Sequence, residues 1–407
     1  MAKTVRKHQI HFRTVNFSRR AEWTTPVNGL TLAREARRER GLPLLDLTES
    51  NPTTVGLPYP ADPLAAIFEK AARCPYEPHP MGLPSAREAL ARTLSSPGAD
   101  VSPDDLILTA STSEAYSFLF KLLAEPGDEI LIATPGYPLF EHLGALESVE
   151  LRRFALELDH RWALHAGEAA SVMSERTRAV AVVHPNNPTG SYLLQREQDD
   201  LAALCVERDI ALISDEVFFD YPFKDDARRA SAAAERRDAL SFSLGGLSKS
   251  AGLPHLKLGW IRVGGPKGER ARALAALELV ADSFLSVATP VQRALPELLE
   301  IAPGIRSEIR QRTSRNLDTL SAAMKPLQHV RVLKPEGGWS VVIRIPAIRS
   351  DEETAMDILD RTGVVVHPGY FFDFPSDGFL VLSLLPEAGM FAEGARLLAE
   401  YLAHMSS

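Results

Sequence analysis

The chain has 407 residues, of which 45% are hydrophobic and 24% charged, an ordinary composition for a folded globular protein. Lysine and arginine number 45 against 53 aspartate and glutamate residues, and this net charge of -8 makes nucleic acid an unfavourable partner. No apolar run reaches the roughly 18 residues that a membrane helix needs, and the N-terminus lacks a hydrophobic leader. We therefore expect a cytoplasmic protein of two or three domains, with no membrane or nucleic-acid partner.

The two cysteines, Cys74 and Cys205, are too few for a disulfide framework or a cysteine zinc site, and both are interpreted as packing residues. The first 20 residues are basic, with no acid before Glu22. A transit peptide or a binding arm has this character, but an ordinary surface arm at the N-terminus is the favoured interpretation.

From about residue 86, short apolar runs alternate with helical patterns. Helices are predicted over residues 86–94 and 113–123, and the second begins with serine and threonine residues of the kind that cap helices. Because the runs between helices are apolar throughout, they predict a mostly parallel sheet covered on both faces. The predicted strands are 106–108, 130–132, 180–183, 210–213, 240–244 and 258–263.

The pattern changes after about residue 295. A charged helical stretch over 305–324 leads to a group of predicted strands and a last helix over 393–404, with the strands at 330–333, 339–345, 364–366 and 379–385. This shift predicts a second, smaller α+β domain that also takes in the N-terminal residues. The predicted division is an N-terminal arm with part of the small domain (1–48), a large domain (49–295) and the rest of the small domain (296–407).

Polar residues follow the predicted strands at the edge where an open α/β sheet binds ligands. Ser111, Thr112 and Ser113 follow the first strand at a helix start, where free N–H groups suit a phosphate, although they fit an ordinary helix cap equally well. Asn187 stands in a turn made rigid by the flanking prolines and Gly190, which favours a functional role. The nearby histidine in that turn, at position 184, is interpreted as a packing residue.

Two further residues carry the strongest chemical signal. Asp215 ends a buried strand, where a carboxylate could cap a helix or bind a metal; no metal-ligand spacing recurs elsewhere, so no metal site is predicted. Lys249 stands among small residues directly after strand 240–244. A lysine in such a snug, partly apolar setting can have a lowered pKa and act as a Schiff-base nucleophile.

Together these segments resemble the class I and II aminotransferases, which are pyridoxal 5'-phosphate enzymes of fold type I. The likeness runs from Ser50 to about Ser383, and the motifs Asn-Asn-Pro-Thr-Gly, Ser-Asp-Glu-Val and Ser-Lys-x-x-Gly-Leu-Pro occur in family order and spacing. The resemblance implies an aspartate-aminotransferase-like α/β fold, with a mostly parallel seven-stranded sheet in a large cofactor-binding domain and a smaller α+β domain. It also implies a homodimer with shared active sites that moves an amino group between an amino acid or amine and a 2-oxo acid.

The resemblance further implies a role for each matching residue. Lys249 would form the aldimine with the cofactor and then shuttle a proton, and Asp215 would keep the pyridine nitrogen protonated. Asn187 would donate a hydrogen bond to the phenolic oxygen, and Tyr137 would stack on the ring. The remaining implied cofactor contacts are Ser111, Thr112, Ser113, Ser248, Lys257, Phe218 and, from the partner subunit, Tyr76.

This sequence departs from the family pattern in three respects. Phe218 replaces the usual tyrosine, which removes one hydrogen bond to the phenolic oxygen. Gly246 replaces a usual serine, and Lys257 replaces the usual phosphate-binding arginine, which keeps the charge but loses the bidentate fork. The gravest departure is Val381, which stands where the family carries the arginine that pairs with the substrate α-carboxylate.

These departures leave two alternatives to an aminotransferase. One is a β-lyase or another carbanion reaction on the same cofactor and scaffold, and the other is a binding protein that has lost catalysis. The retention of Lys249, Asp215, Asn187 and Tyr137 favours an enzyme.

The missing arginine also leaves the substrate open. Either an arginine from elsewhere meets the carboxylate, or the substrate has none at that point. Arg344 is one candidate, although it shares a strand face with Ser340 and Val342 rather than with Trp339, which favours a solvated position. The other candidates are in the N-terminal arm: Arg13, Arg19 and Arg20.

Overall fold

The structure, a computed structural model, describes residues 17–21, 28–95, 100–236, 238–285 and 287–406. Most of the basic N-terminal segment, including Arg13, lies outside the described residues. The α-helices of the described residues are α1 (Gly29–Glu39), α2 (Ala61–Ala71), α3 (Pro84–Leu94), α4 (Thr112–Leu123), α5 (Phe140–Glu147), α6 (Ala166–Val172), α7 (Gln195–Glu207), α8 (Leu247–Ser250), α9 (Lys267–Phe284), α10 (Thr289–Met324), α11 (Asp351–Thr362) and α12 (Ala388–Ala403). No helix in these ranges combines the length and apolar character that crossing a membrane requires.

The strands of the same ranges form one seven-stranded sheet, one four-stranded sheet and two small pairs. They are β1 (Leu45–Asp46), β2 (Leu106–Thr109), β3 (Glu129–Thr134), β4 (Glu150–Ala155), β5 (Glu157–Leu158), β6 (Trp162–Ala163), β7 (Thr177–Val183), β8 (Ala211–Asp215), β9 (Ser241–Gly246), β10 (Gly259–Gly264), β11 (Arg331–Leu333), β12 (Ser340–Arg344), β13 (Val364–Val365), β14 (His367–Pro368) and β15 (Phe379–Ser383).

The large sheet has the strand order β2-β10-β9-β8-β7-β3-β4. All six predicted strands belong to it, and only β10 runs against its neighbours, so the prediction of a mostly parallel sheet is confirmed. The seventh strand, β4, was not predicted. Its sequence Glu-Leu-Arg-Arg-Phe-Ala lies at the sheet edge with only Phe154 buried, so it lacks the continuous apolar run of an inner strand.

Helices cover both faces of this sheet, which explains why its inner strands are buried along almost their whole length. Along β8, Leu212 packs in one cluster with Leu201 of α7, while the next residue, Ile213, packs in another with Leu119 of α4. Cys205 is fully buried in the first of these clusters, as expected for a packing residue. Alternate side chains of one strand therefore serve two separate helix layers.

The four-stranded sheet has the order β11-β12-β15-β14. Strand β1, from the N-terminal part of the chain, and β13 form a separate two-stranded sheet. Helix α10 was predicted only over 305–324, but it begins at Thr289 and so crosses the predicted domain boundary at 295/296. Pro296 and Pro303 lie inside this helix and make its N-terminal part hard to recognise from the sequence, because proline is unfavourable in a helix interior. The buried face of the helix nevertheless continues past both prolines, with residues such as Leu298 and Ile305. The last helix likewise begins earlier than predicted, at Ala388. The proposed domain division stays a prediction.

The topology brings the predicted site residues to one edge. Strands β2, β3, β7, β8 and β9 end there, and each is followed by residues singled out in the sequence. The antiparallel strand β10 begins at that same edge, so Lys257 reaches it from the opposite direction along the chain. A doubly covered parallel sheet presents its ligand site at this position.

Candidate active site

A cavity of about 560 Å³ lies at this edge, between the large sheet and the four-stranded sheet. All of the predicted site residues except Tyr76 line it: Ser111, Thr112, Ser113, Tyr137, Asn187, Asp215, Phe218, Ser248, Lys249 and Lys257. A larger surface groove of about 850 Å³ runs along α10 and contains none of them. The chemistry predicted from separate motifs thus converges in one cavity.

Lys249 lies in α8, the single helical turn that follows β9. Its Nζ is 4.8 Å from the ring centroid of Trp339 and 5.6 Å from that of Phe218, so two aromatic rings lie next to the amino group. The hydroxyl of Tyr221 donates a hydrogen bond to the Lys249 carbonyl and holds the turn in place. Removal from water lowers the pKa of Lys249 to about 8, although the charge of Asp215 opposes this. The amine is therefore far more often neutral than that of a surface lysine.

Asp215 ends β8 and is only 4% exposed. Its Oδ1 accepts the Val217 N–H at 3.1 Å, and its Oδ2 accepts the Tyr116 hydroxyl at 3.2 Å. Burial still outweighs these bonds and raises the pKa of Asp215 to about 6. A carboxylate in this position is stabilised by any cationic group that enters the cavity beside it.

The turn after β7 is fixed by buried hydrogen bonds. The side-chain amide of Asn186 donates to the Pro135 carbonyl at 3.0 Å and to Thr189 Oγ1 at 2.9 Å. Asn187 Oδ1 accepts the Ser340 hydroxyl at 3.3 Å, so its NH₂ end remains the donor for a ligand. Gly190 has φ +71°, and a Cβ there would lie 2.3 Å from Pro335 Cβ, which explains the glycine.

His184, in the same turn, is fully buried and does not line the cavity. Its Nδ1 accepts the Leu193 N–H at 2.9 Å, and its ring packs edge-on against Tyr192 and Phe219. Burial lowers the pKa of His184 to about 3, so the ring is neutral. The structure therefore agrees with its interpretation as a packing residue.

The start of α4 is both a capped helix end and part of the cavity lining, the two alternatives that the sequence left open. Ser111 is the N-cap: its hydroxyl oxygen accepts the Glu114 N–H at 3.1 Å, and the Glu114 carboxylate accepts the Ala110 N–H at 2.6 Å. The same residue lines the cavity together with Thr112 and Ser113, at the positive end of a 12-residue helix. Capping therefore does not remove this helix end from the cavity.

The other predicted contacts fall into two groups. Tyr137 lines the cavity with its ring 37% exposed and edge-on to Phe140. Burial and the charge of Asp215, which lines the same cavity, raise the pKa of Tyr137. Tyr76, in contrast, is 66% exposed between α2 and α3 and does not line the cavity.

No arginine lines the cavity among the residues that the structure describes. Arg344 is exposed, with its guanidinium 5.8 Å from the Phe379 ring centroid. Arg344 is therefore solvated, as predicted, but its strand face does not explain this, since Ser340 on the same face lines the cavity. Arg19 and Arg20 are also exposed and lie outside the lining.

Sequence reasoning missed several lining residues of the four-stranded sheet and its surroundings. Trp339 lines the cavity, and its buried indole N–H has no partner among the described residues. His367 lines it too, at the register position beside Val381. The His-Pro-Gly sequence that follows a β-branched run at 364–366 was the available signal for His367. The other missed lining residues around this sheet include Thr48, Ser50, Ser340, Phe371, Phe372, Leu382 and Ser383.

The cavity's donor set fits the cofactor that the resemblance implies. A helix N-terminus with three hydroxyl residues and Lys257 suits a phosphate. A buried carboxylate suits a protonated ring nitrogen, and Lys249 offers an amine with a lowered pKa to an aldehyde.

Comparisons with known proteins agree with this chemistry. Glutamate-pyruvate aminotransferase AlaA of Escherichia coli is 26% identical over 367 residues, which is 86% of this chain and 89% of that protein. Alanine aminotransferase of Mycobacterium tuberculosis is 25% identical over 422 residues, covering 98% of this chain and 97% of that one. The structure of alanine aminotransferase from Pyrococcus furiosus has the same fold, with a TM-score of 0.87 at 22% identity over 95% of this chain and all of that one. The family model described as Aminotransferase class I and II matches residues 65–390, and the chain therefore belongs to the class I and II aminotransferases.

Proposed function

We propose that this aminotransferase binds pyridoxal 5'-phosphate in the cavity of Lys249 and exchanges amino groups between a small amino donor and a 2-oxo acid there. The observation that carries the proposal is the presence of Lys249 and Asp215 in one cavity, both with pKa values moved toward neutrality by burial. When bound, the cofactor supplies an electron-accepting ring that stabilises negative charge at the carbon bearing the amino group.

Lys249 has two tasks in this proposal. Because its pKa is about 8, a useful fraction of the amine is neutral near pH 7 and can act as a nucleophile. Once an incoming amino group displaces it, the same amine can take a proton from the substrate carbon and return it elsewhere. The rings of Phe218 and Trp339 keep bulk water from the amine.

Asp215 would hold a protonated ring nitrogen. The Tyr116 hydroxyl and the Val217 N–H fix its two oxygens, so the carboxylate does not have to reorganise during the reaction. At the other end of the cavity, the first turn of α4 and Lys257 would bind a phosphate. Asn187, oriented by Ser340, would donate to the phenolic oxygen, and Phe218 offers no second donor there.

We also propose a homodimer in which Tyr76 reaches the phosphate of the other subunit's site. Its exposure and its absence from its own subunit's cavity support this arrangement. Light scattering measures the mass, and Tyr76→Phe should weaken cofactor binding without changing the assembly. The cytoplasmic location predicted from the sequence stays a prediction.

The experiment that tests the proposed activity follows the visible absorbance of the purified holoenzyme. The names of the relatives make alanine, glutamate and pyruvate the first compounds to add. Loss of the absorbance with an amino donor, and its recovery with a 2-oxo acid, is the expected result for amino transfer. Release of pyruvate together with ammonia from an amino acid that carries a leaving group on its β-carbon would instead show β-lyase chemistry, and a protein that takes up no cofactor would refute the proposal.

A further inference from the structure

The end of the cavity formed by the four-stranded sheet has an unusual charge pattern. Val381, where the family carries its carboxylate-binding arginine, is 2% exposed and lines the cavity with an apolar side chain. Three lining side chains of the described residues can carry a positive charge: Lys249, Lys257 and His367. The two lysines belong to the proposed cofactor site, which leaves His367 for the substrate end.

The strand register places His367 beside Val381. In the antiparallel pairing of β14 with β15, His367 is the direct partner of Val381, and across β15 the partner of Val381 is Val342. Directly opposed residues in such a sheet project to the same face. The imidazole therefore occupies the same face of the sheet as the missing arginine side chain, one strand away.

The ring of His367 is held by aromatic contacts and not by hydrogen bonds among the described residues. Its ring contacts those of Phe371 and Phe372, with centroid separations of 5.5 and 5.8 Å. Its Nδ1 is buried and has no hydrogen-bond partner among the described residues. An imidazole that makes no hydrogen bond among the described residues is available to bind a ligand that enters the cavity.

From this geometry we propose that His367 binds the substrate carboxylate in place of an arginine at position 381. The proposal rests on the proposed function, since the carboxylate belongs to the amino acid that reacts at Lys249. The matching ligand group is a carboxylate on the carbon that bears the amino group. Ser383, which pairs with Ser340 on the same sheet face and lines the cavity, is a hydroxyl donor for its second oxygen, whereas the single O–H of Ser340 is donated to Asn187.

The charges around His367 make such binding dependent on pH. Asp46 acts to raise the pKa of His367 and Arg34 to lower it, while burial has the largest effect and lowers that pKa to about 4. Arg34 and Asp46 form an ion pair at 3.1 Å, so they largely offset each other. The imidazole of the free cavity is therefore neutral at pH 7, and a bound carboxylate raises its pKa, so that binding takes up a proton.

The test compares two ligands on the intact holoenzyme, 2-methylalanine and tert-butylamine. They differ by a carboxylate in place of a methyl group, and neither has a hydrogen on the carbon next to nitrogen, so the amino transfer that begins with removal of that proton cannot follow binding. Their Kd values come from the change in cofactor absorbance between pH 6 and 9. The ratio of the two Kd values isolates the carboxylate, because the amino group and the cofactor are common to both ligands.

We expect 2-methylalanine to bind more tightly than tert-butylamine at pH 6, and this advantage to shrink by up to tenfold per pH unit as pH rises toward the pKa of His367 in the complex and to level off above that pKa. His367→Asn should weaken the binding of 2-methylalanine by about tenfold or more, leave tert-butylamine unchanged and remove the pH dependence of the ratio. Adding Val381→Arg to that variant should restore carboxylate binding without restoring the pH dependence. Arg344→Gln, an exposed position on the same strand face, is the matched control and should behave as wild type.

Two results would overturn the proposal. One is equal binding of both ligands by the wild-type enzyme at every pH, and the other is an unchanged ratio in His367→Asn. Calorimetry of wild-type protein in two buffers of different ionisation enthalpy measures the proton uptake directly, so the proposal remains testable if the variant does not fold. A protein with no cofactor absorbance would instead contradict the proposed cofactor site, so the two failures are distinguishable.

Discussion

Replacing Asp215 with asparagine should stabilise the cofactor-free protein while damaging the holoenzyme. Burial raises the pKa of Asp215 from 3.8 to about 6. A carboxyl with a higher pKa in the folded than in the unfolded chain binds its proton more tightly when folded, so ionisation opposes folding. The difference of about two pH units, at 1.36 kcal/mol each, corresponds to about 3 kcal/mol. This cost is absent below pH 3.8, grows between pH 4 and 6 and is complete above pH 6.

Urea unfolding of cofactor-free protein measures this effect at one fixed protein concentration. Between pH 5 and 7 the free energy of unfolding of wild-type protein should fall relative to that of Asp215→Asn, which has no proton to lose. At pH 7 the variant should be more stable by up to about 3 kcal/mol. The same variant should bind the cofactor more weakly and transfer amino groups on the order of a hundredfold more slowly, because the charge facing the ring nitrogen is gone.

The neighbouring carboxylate provides a control. Glu216 accepts the Ala233 N–H and the Ser243 hydroxyl, both at 2.8 Å, and does not line the cavity. Burial raises the pKa of Glu216 to about 7, so Glu216→Gln should change the stability in the same direction while leaving cofactor affinity intact. An Asp215→Asn protein that is less stable than wild type at pH 7, or that reacts at the wild-type rate, would refute the reasoning.

Three further predictions concern single residues. Lys249→Ala should abolish borohydride trapping of the cofactor while circular dichroism stays unchanged, and a covalent label on the variant would contradict the assignment. Phe218→Tyr should lower the pKa of the nitrogen that joins the cofactor to Lys249, because a new hydroxyl near the phenolic oxygen favours the deprotonated form of that nitrogen. A spectral titration measures this pKa, and an unchanged value would mean that the hydroxyl does not reach the phenolic oxygen. Gly190→Ala should cost about 2 kcal/mol or more in urea unfolding, since its Cβ would also lie 2.6 Å from the Gly337 carbonyl oxygen. Gly304→Ala, in an open part of α10, should instead be neutral or stabilising by up to about 1 kcal/mol.

The large sheet and the residues at its strand ends were predictable because each signal is local. An inner strand such as β8 begins with a continuous apolar run over 211–213, and Asp215, the residue that ends it, lies two positions further along the chain. The edge strand β4 lacks that signal, and the N-terminal part of α10 is hidden by Pro296 and Pro303. In both places tertiary packing decides what local propensity does not.

The substrate end of the cavity could not be predicted in the same way. Whether His367 lies beside Val381 depends on the pairing of two strands whose register is set by the whole four-stranded sheet. The same limit affected Arg344, whose strand face was interpreted without knowing which face of the sheet meets the cavity. Residues that become neighbours only because two strands pair have no fixed spacing in the sequence.

The division of labour between the two sheets has a consequence for protein engineering. Every proposed cofactor contact within one subunit belongs to the span from Ser111 to Lys257, whereas the wall around Val381 is built by β12, β14 and β15. A mutant library confined to His367, Val381 and Ser383 would therefore alter which amino compound is accepted while leaving the catalytic apparatus in place. Directed evolution of this enzyme toward new amino donors should begin on that face, because substitutions there change the substrate preference without removing a proposed cofactor contact.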